Sequence, residues 1–217
     1  MARVLSLADH RAARAARDLA RPRVTFAFDL ACPWTYLAAE RIDRLFIGVH
    51  WRPAFGDDFG GASLAVAGSR EIGTRAERDA VERRAAELRL PLVWPDHAPD
   101  GRQAMRVAVL AAERERAAPF VLAAGRLTFC GGYDLDDPET LAEAAAAAGL
   151  GLNEALEAAA DQARDGVLEA AARRLLARGA DALPALQVGR TLFCGEHRVA
   201  EAAAAAGAVV RPRQIAR

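Results

Sequence analysis

Val24 to Phe28, reading VTFAF, is apolar over the length of one strand, the pattern of a buried β-strand. Leu37, Ala38, Ile42, Leu45 and Phe46 then recur near helical spacing. Pro33 suits the first helical position, where its missing N–H would have had no partner. Gly48 closes this helix, and Val49 to Pro53 reads as a second strand; strand, crossover helix and strand predict a parallel βαβ unit. From Ala54 the period changes. Glycines at 56, 60 and 61 mark a loop, and helical patterns run on to about Ala177. Thr74 and Glu77 have capping-box spacing at the head of a helix over Thr74–Leu88, which LRLPLVWP (Leu88–Pro95) interrupts. Further helices are predicted over Gln103–Ala117, Glu139–Ala148, Asn153–Ala159 and Gly166–Arg178. The alanine runs at 144–148 and 202–206 fit helices, since alanine is the best helix former. After Gly179, Pro184–Val188 and Thr191–Cys194 flank Gly189-Arg190 as a hairpin, and a last helix covers His197–Ala206. Ser6 and Asp9 are spaced as a helix start over Ser6–Ala20, although that segment reads first as a solvated extension. The order is βαβ, a helical insertion, then ββα.

Composition narrows the function classes. At 217 residues the chain holds one substantial core, so one domain with an insertion is expected. The 29 basic and 29 acidic residues balance, which disfavours nucleic acid and anionic membranes as partners. Cys32, Cys130 and Cys194 are too few for a disulfide framework and suit a reducing compartment. Arg11, Arg14, Arg17, Arg21 and Arg23 interrupt the apolar residues of the N-terminus, so a cytoplasmic location is expected. His10, His50, His97 and His197 have no metal-ligand spacing with the cysteines, so no metal is expected, and no Walker or dinucleotide glycine motif supports ATP or NAD.

Cys32 falls where strand gives way to proline-started helix. Unpaired N–H groups and the positive dipole end there favour a thiolate, with a pKa expected below the free value of about 8.5. Thr35, three residues on, cannot resolve a mixed disulfide as a second cysteine would, and its hydroxyl is expected to donate to the thiolate. Asp29 is expected to cap the loop as a half-buried carboxylate. Cys130 and Cys194 are expected to be small buried hydrophobes.

The stretch from Val24 to Phe46 (VTFAFDLACPWTYLAAERIDRLF), with LRLPLVWP, Leu183-Pro184 and FCGEHR (Phe193–Arg198), resembles a thioredoxin-fold family. It includes DsbA-like disulfide oxidoreductases, kappa-class glutathione transferases and 2-hydroxychromene-2-carboxylate isomerases. The resemblance covers nearly the whole chain from Val24. It implies an α/β, thioredoxin-like fold (βαβ + ββα) with an all-helical insertion domain at 56–177, a thioredoxin-like domain at 23–55 and 178–217, and an N-terminal extension at 1–22. It further implies a cis Leu183-Pro184 bond beside Cys32, with the Leu183 backbone pairing a bound thiol. Catalysis would rest on Cys32 and Thr35, and Pro33, Trp34, Leu183, Pro184, Glu196, His197 and Arg198 would bind the thiol.

Glu196 and His197 stand where glutathione-using relatives carry a small polar residue and an aspartate, so the implied cofactor is glutathione or another low-molecular-weight thiol, without a metal. The implied function is a thiol-dependent oxidoreductase in a monothiol mode through Cys32. The alternative is an isomerase or glutathione-transferase-like enzyme using a bound thiol, and a non-catalytic binding protein is a third reading. The partners implied are a small thiol and a small-molecule or disulfide substrate, with a homodimer as a further expectation.

Overall fold

A computed structural model describes residues 23–57, 59 and 72–207; the predicted Ser6–Ala20 helix, the 1–22 extension, Gly60 and Gly61 lie outside them. Strand β1 (Val24–Phe28) pairs in parallel with β2 (His50–Pro53) and antiparallel with β3 (Ala185–Val188), which pairs antiparallel with β4 (Thr191–Cys194), giving the order β2-β1-β3-β4. In β1, Phe26 and Phe28 are fully buried on one face and Ala27 on the other, which is why this strand lacks a polar alternation. Helix α1 (Pro33–Leu45) makes the crossover and buries Tyr36, Leu37, Ala38 and Ile42. It stops where the Phe46 N–H reaches back to the Ile42 carbonyl. The arrangement is the thioredoxin-like α/β fold implied by the sequence.

Between β2 and β3 run α2 (Arg75–Leu88), α3 (Arg102–Glu113), α4 (Ala117–Phe129), α5 (Pro138–Ala147), α6 (Leu152–Ala160) and α7 (Asp165–Leu176). The capping box forms, Thr74 accepting from the Glu77 N–H while Glu77 accepts from the Thr74 N–H. A 3₁₀ turn, Glu196–Arg198, precedes α8 (Val199–Ala205), so the predicted last helix starts as a tighter turn.

One helix was not legible. The expected Gln103–Ala117 helix ends at Glu113, Glu115 takes a positive φ of 58°, and Ala117–Phe129 forms a further helix with no amphipathic pattern to mark it. Its sequence, AAPFVLAAGRLTF, has no wide polar stripe because α4 sits against α1, α3 and α5. Pro119 falls in its first turn, where the absent N–H costs nothing. Gly125 lets α4 approach α1: a Cβ there would lie 3.4 Å from the Tyr36 ring.

The insertion helices and the sheet share one core. Phe26, Phe28 and Ile42 join Met105 and Val107 of α3, Phe120 of α4 and Leu168 of α7 in a single buried cluster. A smaller cluster, around Leu37, Val81, Ala85 and Phe129, seats α2 and the LPLVWP segment over α1. Among the described residues no helix is long and apolar enough to cross a membrane.

Candidate active site

Cys32 occupies the N-cap of α1 with extended φ and ψ of −96° and 117°. Its N–H donates to the Asp29 carbonyl at 3.2 Å, and the Thr35 N–H donates to the Cys32 carbonyl at 2.9 Å. The N–H groups of Thr35 and Trp34 and the Thr35 hydroxyl all act on the sulfur to favour its ionised form, as the helix-terminus argument requires. Burial outweighs them. The side chain is 1% exposed, and desolvation, helped by the negative charge of Asp29, pushes the thiol up to about 12. The thiolate expected from position alone is therefore not the form held in this closed arrangement. Local donors were readable in the sequence, whereas the layers covering the sulfur were not.

Asp29 caps the loop as expected, but it is buried and not half-buried. Its Oδ1 accepts from the Ala31 N–H at 2.9 Å and its Oδ2 from the Gly56 N–H at 2.7 Å. Gly56 permits that approach, since a Cβ there would stand 3.0 Å from Oδ2. Burial first, and Asp57 to a lesser degree, raise the Asp29 carboxyl from 3.8 to about 6, against the two N–H groups and Arg102. The folded chain thus holds this proton more tightly than the unfolded chain does. The resulting stability is complete below the unfolded value of 3.8 and is lost as pH rises through about 6. Asp29→Asn should flatten that segment of the urea-unfolding free energy against pH, whatever offset the lost N–H acceptor causes; parallel curves for both proteins would refute the assignment.

A cavity of about 490 Å³ opens beside this corner. Trp34 and Leu183 line one side, Arg83 and Arg84 of α2 another, and Glu196 and His197 close it with Asp181. The Leu183-Pro184 bond is cis, and the Pro184 carbonyl accepts from the Gly195 N–H at 2.7 Å. Of the sequence candidates, the cavity thus gathers Trp34, Leu183, Glu196 and His197, while Cys32, Pro33, Thr35 and Pro184 are buried and are not among its lining residues. Arg198 is engaged elsewhere, pairing with Glu201 at 2.7 Å and lying 5.1 Å over the Phe193 ring.

Glu196 departs from the ligand role its position implied. Its side chain has no exposure, and its carboxylate is paired with Arg41 of α1 and with Arg84 Nε at 2.6 Å. Arg84 also pairs with Glu87 at 2.7 Å. The charge of Glu196 is therefore spent on joining α1, α2 and the turn before α8. Sequence reasoning missed Arg41, Arg83, Arg84 and Asp181. Single arginines on helices carried no local signal, and Arg84 lies 112 residues from Glu196.

The other cysteines are half-exposed, not buried. The Tyr36 hydroxyl donates to the Pro91 carbonyl at 2.8 Å and lies 2.9 Å from the Cys130 sulfur, and burial with that contact drives its pKa upward. This bond anchors the LPLVWP segment to α1. Among the described residues no cluster of three or more His, Cys, Asp or Glu side chains is placed to hold a metal.

The DSBA-like thioredoxin domain matches residues 23–206 of the chain. No curated protein matches it. Among solved structures it is similar to a 2-hydroxychromene-2-carboxylate isomerase, with a TM-score of 0.69 and 19% identity over 85% of this chain and 94% of that one. It is similar also to a probable DsbA oxidoreductase from Streptomyces coelicolor, with a TM-score of 0.65 and 23% identity over 90% and 94% of the two chains. A third is the cytosolic disulfide reductase DsbM from Pseudomonas aeruginosa, solved with GSH, at a TM-score of 0.56 and 20% identity over 79% and 88%. At these identities the likeness is one of fold.

Proposed function

Because the chain belongs to the DSBA-like thioredoxin domain family, we propose that it is a thiol-dependent oxidoreductase using Cys32 as its single attacking cysteine. The observation that carries this reading is the pairing of Cys32 with Thr35 at the head of α1. The Thr35 and Trp34 N–H groups and the Thr35 hydroxyl favour the ionised sulfur, and no second thiol stands where an internal one would resolve a mixed disulfide. In the closed arrangement the thiol is protonated. Entry of a ligand or water beside Trp34 and Leu183 relieves the desolvation that raises its pKa, and the start of α1 favours the thiolate. Cys32 then attacks one sulfur of a small disulfide. One S–S bond forms, one breaks, and the leaving thiolate takes up a proton. A low-molecular-weight thiol such as glutathione attacks the mixed disulfide in a second exchange and restores Cys32. Per cycle one external thiol is consumed and one thiol is released, and the other half of the substrate disulfide leaves joined to the external thiol, an exchange that suits a reducing, cytoplasmic setting.

A second reading rests on the protonated, covered Cys32 and on Trp34 and Phe59 beside the cavity. There a bound thiol would add reversibly to an aromatic-derived substrate, as in an isomerase, and Cys32 would only hold that thiol. Intact-mass measurement after treatment with 2-hydroxyethyl disulfide separates the two. One adduct on Cys32 that persists until a monothiol is added is the expected result. Adducts on Cys130 and Cys194 with Cys32 unmodified would overturn it.

A further inference from the structure

Most of the charges around the cavity are spent on one another. Glu196 is held by Arg41 and Arg84, and Glu87 by Arg84. Two remain: Arg83 on α2 and Asp181 on the segment leading into Leu183, both exposed and neither in an ion pair among the described residues. Asp181 lies near enough to Arg198 to influence it, but that guanidinium is paired with Glu201. The cavity therefore presents one available cation and one available anion on different elements.

From this we infer that the cavity selects a zwitterionic thiol or disulfide, one bearing an amino-acid head group, with Arg83 taking its carboxylate and Asp181 its ammonium. A purely anionic or purely cationic ligand gains one of these contacts and meets repulsion at the other, and a neutral ligand gains neither. The cavity, at about 490 Å³, has room for a ligand of amino-acid or small-peptide size. His197 does not compete for the role of either residue, because its imidazole folds back over Gly195, where a Cβ would come within 2.6 Å of the ring. The inference rests on the thiol chemistry proposed for Cys32, and it adds what that chemistry acts on.

The test is the rate of adduct formation on Cys32 with four symmetric disulfides: L-cystine (zwitterionic), cystamine (cationic), 3,3′-dithiodipropionate (anionic) and 2-hydroxyethyl disulfide (neutral). Each rate is divided by that of the same disulfide with a free thiol in solution. Cystine should lead the neutral disulfide by roughly tenfold, the sum of two exposed charge contacts. In Arg83→Gln the lead of cystine over cystamine should vanish, and in Asp181→Asn its lead over dithiodipropionate. A neutral disulfide as fast as cystine, or variants that keep the wild-type ranking, would overturn the inference while leaving Cys32 as the reacting thiol. Absence of any Cys32 adduct with all four would overturn the thiol chemistry itself.

Discussion

Cys32→Ser is expected to lose thiol–disulfide exchange by a factor of roughly a thousand or more, because a hydroxyl cannot form or release the mixed disulfide. Thr35→Cys should move the opposite way. It places a second sulfur within the same helical turn, so that a mixed disulfide at Cys32 is resolved internally and protein-disulfide oxidase activity rises. In the wild-type protein the adduct should wait for external thiol. The two variants are read against two substrate classes, small disulfides and chromene carboxylates. Redox turnover undiminished in Cys32→Ser would end the monothiol reading. Full activity of Cys32→Ser on a chromene carboxylate would favour the isomerase reading, since only the bound thiol would then do chemistry.

Glu196→Ala should be among the most destabilising single changes in the chain. It leaves Arg41 and Arg84, with side chains 15% and 27% exposed, facing each other without their shared carboxylate. Removing one partner of a buried ion pair costs about 3 kcal/mol, which for a chain of this size lowers Tm by roughly 6–12 °C. The partial exposure of the two arginines sets the cost at the low end of the range for such pairs. A double-mutant cycle with Arg84→Ala isolates the tie between α2 and the turn before α8. A Tm within a degree of wild type in thermal unfolding would mean that the cluster holds nothing together.

The difference between what could and could not be read from the sequence follows the range of the forces. The β1–α1 corner was legible because an apolar run, Pro33 and helical spacing are local, and the Thr74–Glu77 box because its partners are three residues apart. Ala117–Phe129 hid its helix for the opposite reason: contact with three neighbouring helices erased the polar face that marks helical period. At the site, the donors around Cys32 could be inferred from its place at a helix start. Its burial could not, and burial decides its protonation. Glu196 was legible as a position but not as a buried carboxylate, since Arg41 is 155 residues away.

The strand order imposes a sequence of events on folding. Phe26 and Phe28 lie in β1, whose second neighbour is β3, at Ala185–Val188. As the chain is synthesised, β1 can pair with β2 early, yet its other edge stays open until nearly the whole helical block has followed. Closing so long a loop costs only slowly growing entropy, and helices formed meanwhile bring its ends nearer. The interval still leaves an apolar strand with unpaired N–H and C=O groups, the template on which chains join edge to edge. Met105, Val107 and Phe120, arriving before β3, are the side chains that can cover its apolar face, so α3 and α4 guard the nascent sheet while α2 alone of the insertion helices lines the cavity.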